Sequence, residues 1–168
     1  IANLALMRKD WAAASQPADD LNAVAWAGGA VLEPGEPADS PRAIAQAGPR
    51  TATMLHRAAD EALAGYPNSA RLPPQFAEAV AGYVEHARGF TPQGAHYLQN
   101  HRGHLMFVRP DERPYLSAEL IAAATWTATA PELITRVGAL KDAGFSQIVF
   151  SILPGQELSL IHISEPTR

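Results

Sequence analysis

The segment 129–157, TAPELITRVGALKDAGFSQIVFSILPGQE, constrains the fold most, because it joins a capped helix to a strongly apolar strand. Thr129 and Glu132 have the spacing of a capping box, and Gly144 supplies the left-handed residue that ends many helices. Apolar residues recur between them at the helical period: Leu133, Val137 and Leu140. The following run 147–153, QIVFSIL, is too apolar to leave one face in water. The segment therefore predicts a helix and a parallel strand covered on both faces, which is one repeat of an α/β barrel.

A second strand is predicted over residues 22–32, NAVAWAGGAVL, again apolar on both faces. A helix should follow from Ser40, which precedes a proline at the first helical position, and Gly48 with Pro49 should kink or restart it. Further helices are predicted over residues 1–14, 73–89 and 117–124. The fold class is therefore α/β, but a closed eight-stranded barrel needs about 250 residues, so the chain holds about half of one. Strands without neighbours are expected to make it poorly stable or prone to aggregate.

The composition is that of a globular chain, since 47% of the 168 residues are hydrophobic. Thirteen Lys plus Arg against seventeen Asp plus Glu give a net charge of -4, and the basic residues are scattered, which argues against a nucleic-acid partner. The absence of cysteine excludes disulfides and thiolate metal sites. No apolar run reaches the roughly 18 residues of a membrane helix, and no signal peptide is visible, so we expect a cytoplasmic protein without membrane contact.

The final segment 158–168, LSLIHISEPTR, shows no pattern continuous with the preceding helix and strand. It resembles translated sequencing-adapter read-through and is left out of the fold prediction. The alternative is a genuine tail, and in either case His162 and Glu165 are poor site candidates. Because Ile1 lies within a predicted helix, we expect the chain to be cut at both ends.

Residues 90–115 are the least regular region and carry the densest group of polar side chains. Imidazole and guanidinium groups hold anionic or carbonyl-bearing substrates, and Gly103 allows close approach of the backbone. Glu33 also qualifies, because it follows a predicted strand at the end where barrel enzymes keep functional residues. Two alternatives stay open: a packing loop whose histidines bond backbone carbonyls, and a solvated turn around Glu33. The candidate substrate-binding residues are His96, Tyr97, His101, Arg102, His104 and Glu33.

A metal site is not predicted. The spacings of His96, His101 and His104, five and three residues, do not place all three on one helix face, and no carboxylate lies nearby at ligand spacing. His56 lies on a predicted helix beside apolar positions, which is typical of a packing histidine. The charged run 109–113, RPDER, is interpreted as a solvated face.

Four segments together resemble the C-terminal part of a luciferase-like monooxygenase, and more narrowly the flavin- or deazaflavin-dependent oxidoreductases of methylenetetrahydromethanopterin reductase type. They are AVAWAGGAVL (23–32), EPGEPADSPRAIAQAGP (33–49), YLQNHRGHLMFVRPDERP (97–114) and TWTATAPELITRVGALKDAGFSQIVFSILPGQE (125–157). The resemblance implies that residues 1–157 are the C-terminal portion of a TIM (β/α)8 barrel, incomplete here, with the cofactor at the carboxyl ends of the strands.

The same resemblance implies reduced FMN or a deazaflavin (coenzyme F-420) as cofactor, and hydride transfer to, or oxygen insertion into, a small organic substrate. It also implies a homo-oligomer when the protein is full length. The family's main cofactor loops precede Ile1, so catalytic and cofactor-binding residues are not assigned and the chain alone is expected to be inactive. Two other functions stay open: a non-catalytic half-barrel interaction module, and a barrel enzyme such as an aldolase or hydrolase whose histidines perform acid–base chemistry.

Overall fold

The computed structural model describes residues 2–67 and 72–153. Its helices are α1 (Ala2–Ala13), α2 (Pro41–Leu63), α3 (Ala77–Arg88), α4 (Tyr97–Asn100), α5 (Ala118–Ala124) and α6 (Ala130–Asp142). Its strands are β1 (Val24–Ala27), β2 (Val31–Leu32), β3 (Ala128–Thr129) and β4 (Gln147–Phe150). The fold is therefore mixed α/β, as predicted. No helix in these two ranges is both long enough and apolar enough to cross a membrane. The segment 158–168 and the end of the predicted closing unit, 154–157, lie outside the described residues.

The strands pair in parallel, β1 with β4 and β2 with β3. The predicted strand 22–32 is divided at Gly28 and Gly29. A Cβ atom on Gly29 would lie 2.3 Å from the backbone carbonyl of Trp126, so only glycine permits the two backbone segments to approach this closely. The strand segment 24–32 thus has β4 beside its first half and β3 beside its second half, and the described ranges form no closed barrel.

The β1–β4 sheet is covered on one face only, so the prediction of strands buried on both faces is wrong for this sheet. Ala27 is buried, whereas Trp26 is 67% exposed and Val149, its partner in the register, is 50% exposed. Successive strand residues point to opposite faces, which places Trp26 and Val149 together on the uncovered side. An apolar strand is buried on both faces only if a second layer covers each face. Here the main helices pack against one another, so one face of the β1–β4 sheet is left uncovered.

The core lies between α2, α3 and α5, where Leu55, Tyr83 and Leu120 are almost completely buried. The α2 helix begins as predicted, with Ser40 Oγ accepting a hydrogen bond from Ala43 N at 3.1 Å. It does not restart at Pro49 but continues to Leu63 as one helix. This long helix forms the platform on which the region 90–115 folds.

Local capping chemistry sets the ends of the last two helices. Ser117 Oγ accepts from Leu120 N at 3.2 Å at the start of α5. At the start of α6, the Glu132 carboxylate accepts from the backbone N and the hydroxyl of Thr129 at 2.9 and 2.8 Å. Gly144, at φ +88°, follows the end of α6 in the left-handed conformation. These three predictions are confirmed.

Candidate functional site

Two of the predicted site residues, His101 and His104, lie together with His56. The Nδ1 atoms of His101 and His104 are 3.0 Å apart, and the Nδ1 atoms of His56 and His104 are 3.2 Å apart. One ring nitrogen from each of the three lies within 4.8 Å of the others. We call His56, His101 and His104 the histidine cluster. It is the grouping of side chains in the described ranges best suited to hold a metal ion.

The other predicted residues do not join this cluster. His96 lies at its edge, with Nε2 3.8 Å from the Asp60 carboxylate. Tyr97 is 52% exposed, and Arg102 is also exposed. Glu33 directly follows β2, as predicted, and its side chain is exposed. Its backbone N donates a hydrogen bond to Glu36 Oε2 at 2.9 Å, which closes the turn. A substrate role for these four residues stays a prediction.

Carboxylates hold the outer nitrogens of two cluster histidines. His56 Nε2 lies 2.5 Å from Glu112 Oε1, and His101 Nε2 lies 2.5 Å from Asp60 Oδ2. His56 and Asp60 are four residues apart on α2 and therefore share one face of the helix. Asn100 Nδ2 fixes this corner by donating to Asp60 Oδ1 at 2.7 Å and to the His56 carbonyl at 3.0 Å. These contacts turn the Nδ1 atoms of His56 and His101 toward His104.

Glu112 is the buried centre of the supporting network, with no exposed surface. It accepts from the backbone N of Arg109 at 2.8 Å and from the Tyr83 hydroxyl at 3.2 Å, and it pairs with the Arg109 guanidinium at 3.0 Å. Arg109 is only 5% exposed and Glu112 is fully buried, so the interpretation of the run 109–113 as a solvated face is wrong for these two residues, whereas Arg113 is exposed. The run forms a turn around the Glu112 carboxylate and contacts α3 through Tyr83. The Glu112 carboxylate and the Arg109 guanidinium are thereby buried together as a pair.

The pKa of His104 is shifted toward the neutral imidazole, and the pKa of Asp111 is shifted toward the ionised carboxylate. Burial lowers the pKa of His104, and the neighbouring His101 and His56 lower it further. Burial and the adjacent Glu112 charge raise the pKa of Tyr83, so this hydroxyl remains a donor. Burial would raise the pKa of Asp111, but hydrogen bonds from His86 and Arg109 outweigh it and hold that pKa below its usual range.

A second site lies where β1 and β4 end. This strand-end pocket encloses about 120 Å³ and is lined by Gly28, Gly29, Gln46, Arg50, Leu105, Ser151 and Leu153. The Arg50 guanidinium lies 5.3 Å from the centre of the Trp26 ring, and Trp26 Nε1 donates to Ser151 Oγ at 2.6 Å. Gly28 and Ser151 directly follow the two paired strands. The pocket is mainly apolar, with one guanidinium at its wall.

Three residues of this site were not predicted from the sequence as site residues: His56, Asp60 and Glu112. The four-residue spacing of His56 and Asp60 on a predicted helix was an available signal, because it places an imidazole and a carboxylate on one face. Glu112 gave no local signal, since its histidine partner is 56 residues away. His56 is buried, as expected for a packing histidine, but both of its nitrogens face polar partners.

Function has to be inferred from these two sites, because similarity to known proteins identifies no family. The chain matches no protein-family model, and comparisons with curated proteins and with solved structures found no significant similarity.

Proposed function

We propose that the chain is the C-terminal portion of a (β/α)8-barrel oxidoreductase that uses reduced FMN or the deazaflavin coenzyme F-420. The proposed reaction is hydride transfer to, or oxygen insertion into, a small organic substrate. The observation that carries the proposal is the strand-end pocket, because two parallel strands, β1 and β4, end beside it. Enzymes built on parallel strands bind their ligands at that end. The resemblance of the four sequence segments supplies the cofactor class, and the proposed enzyme is expected in the cytoplasm as a homo-oligomer.

The lining of the strand-end pocket supports a flat, partly anionic ligand. Gly28, Leu105 and Leu153 offer apolar contact to a ring edge, and Arg50 offers a guanidinium to a phosphate or carbonyl oxygen. A pocket of about 120 Å³ is smaller than complete ligand sites of about 300–1,000 Å³. The described residues would therefore form one wall of the cofactor site, and further strands the rest. The uncovered face of Trp26 and Val149 fits this arrangement, since additional barrel layers would bury it.

A binding titration tests the proposal. The 168-residue chain is mixed anaerobically with reduced FMN or with F-420, and cofactor fluorescence is followed. Gly28→Leu should fill the pocket and remove binding, because a Cβ there already lies 3.1 Å from Arg50 Cδ. Gly138→Leu is the matched control, since a Cβ on this α6 glycine meets nothing within 4 Å. Equal binding by Gly28→Leu and the parent chain, or absence of binding to both cofactors by the full-length protein, would overturn the proposal.

The uncovered sheet face favours a second candidate function, an interaction module that associates with another copy of this chain. Trp26 and Val149 present adjacent apolar side chains to solvent. Self-association by a chain that binds neither flavin nor deazaflavin would favour this second candidate over the oxidoreductase.

A further inference from the structure

We propose that the histidine cluster binds a divalent cation of the zinc type through the Nδ1 atoms of His56, His101 and His104. This metal site is independent of the proposed flavin chemistry, because it uses different residues and would exist with or without a cofactor in the strand-end pocket. Three observations carry it: the spacing of the nitrogens, the hydrogens available to them, and the carboxylates behind them.

The spacing of the nitrogens suits a common metal ligand. With Zn–N bonds of about 2.0–2.1 Å, the nitrogens of a tetrahedral site are roughly 3.4 Å apart. The Nδ1–Nδ1 distances of 3.2 Å for His56 with His104 and 3.0 Å for His101 with His104 are within a few tenths of that value. Gly103, at φ +81°, permits the tight turn that returns His104 to His101. The third pair, His56 with His101, has to close as well, and one ring nitrogen from each histidine already lies within 4.8 Å of the others.

Hydrogen bonds alone do not satisfy the cluster. His104 Nδ1 faces two other Nδ1 atoms, but a ring nitrogen has either one proton to donate or one lone pair that accepts. If His104 Nδ1 carries a proton, it donates a hydrogen bond to one neighbouring Nδ1 atom and leaves the other without one. If it carries no proton, its lone pair accepts from only one of the two neighbours. A cation placed between the three nitrogens satisfies all of them at once.

The carboxylates behind the rings complete the pattern of a metal site. Glu112 and Asp60 accept from the Nε2 atoms of His56 and His101, which leaves the Nδ1 lone pairs free to bind a cation. An ion at the Nδ1 atoms would lie one imidazole ring away from each of these two carboxylates, which orient the rings and strengthen them as ligands.

The ion would keep an open coordination position. His56 is buried, whereas the His101 side chain is 38% exposed, so one side of the cluster faces solvent. Three histidine ligands with a fourth position open to water are typical of catalytic zinc sites, in which the pKa of the bound water falls to about 7. The ligand class expected at this position is water or an anionic oxygen of a small substrate.

Zinc titration of the untagged 168-residue chain against a chromophoric chelator tests the proposal. We expect one zinc ion per chain, and a visible spectrum of tetrahedral type when Co²⁺ replaces zinc. His104→Gln removes a ligand on the accessible side and should abolish this stoichiometric binding. His86→Gln is the matched control, because His86 pairs with Asp111 outside the cluster. Asp60→Asn should weaken binding by about 10–100-fold, the range found for residues that support a ligating histidine.

Circular dichroism on the same samples separates loss of the site from loss of the fold. If the metal-free chain is partly unfolded, zinc should increase helicity in the parent chain and not in His104→Gln. Equal zinc affinity in His104→Gln and His86→Gln, or no binding by a helical parent chain, would overturn the proposal. Gly28→Leu should still bind zinc, so a failed metal site is distinguished from a failed flavin site.

Discussion

The helical core and the β1–β4 sheet differ in how completely they bury their side chains. Around α2, α3 and α5, even the buried carboxylate of Glu112 has several donors, and every buried side-chain polar atom in the described ranges lies within hydrogen-bonding distance of a polar neighbour. In the sheet, Trp26 and Val149 remain exposed although they are apolar. The helices therefore bury their apolar faces against one another within the described chain, whereas the strands need another layer.

Removing Glu112 should have the largest effect on stability. Glu112→Ala leaves His56 and the Arg109 guanidinium without their buried carboxylate, and breaking such a pair costs about 3–5 kcal/mol. Urea unfolding followed by circular dichroism measures the change. Glu85→Ala, which removes a carboxylate that is 76% exposed on α3, should alter the free energy of unfolding by less than about 0.5 kcal/mol. Similar losses in the two variants would show that the buried network does not stabilise the core.

A pair of apolar truncations sharpens the contrast between core and sheet. Leu55→Ala removes a fully buried side chain from α2 and should cost about 2–5 kcal/mol. Val149→Ala, in the half-exposed β4 position, should cost about 0.5 kcal/mol, because much of its surface is already in water. Thermal denaturation of both variants compares them directly. A larger loss for Val149→Ala would mean that the sheet face is covered in solution.

The exposed sheet face should promote self-association, and Trp26→Ser should reduce it. Trp26 is 67% exposed beside Val149, so its removal takes away most of the apolar surface at this position. Tyr66→Ser is the control, since Tyr66 is 69% exposed but lies beyond α2 and outside the sheet. Sedimentation velocity should show a lower associated fraction for Trp26→Ser only. Equal association of both variants would assign the effect to another surface.

The smallest expected effect is the pH dependence of the turn before α2. Hydrogen bonds from Arg42 and Ser40 lower the pKa of Glu36 to about 2 from 4.5. Because the folded pKa lies below the unfolded value, this contribution is fully present above pH 4.5 and is lost as the pH falls through about 2. The pair is partly exposed to solvent, so its contribution should be below about 1 kcal/mol.

Unfolding of Glu36→Gln against the parent chain at several pH values measures this contribution. The stability difference should be constant between pH 5 and 7 and should disappear near pH 2, in line with the two pKa values. A difference that persists at pH 2 would show that the side chain acts through packing instead of charge.

The helix ends were predictable because their signals are local. Ser40, Ser117 and Thr129 with Glu132 cap the helices that they were expected to begin, and Gly144 ends the last one. Each of these contacts joins residues three or four positions apart, so the spacing in the sequence already brings the groups together. The α/β class was also predictable, because a helical period marks the helices and apolar, β-branched runs mark the strands.

The histidine cluster was not predictable by the same means. The sequence indicated His101 and His104 as site residues. It did not indicate His56, which has the pattern of a packing histidine, or the run 109–113, which has the composition of a solvated face. His56 meets His104 across 48 residues and Glu112 across 56 residues, and no local period encodes such contacts. The strand faces were misjudged because apolar composition does not say which layer is present to cover it.

Local chemistry in the sequence therefore determined the helices and their caps and marked the strand segments, because each depends on residues that are close in the chain. Only the tertiary structure decided which charges are buried and which histidines meet. Burial of Glu112 with Arg109 requires α3 and the region 90–115 to close on α2, and the three imidazoles converge only after that closure. The free energy of these contacts depends on desolvation and mutual geometry, which distant segments create together.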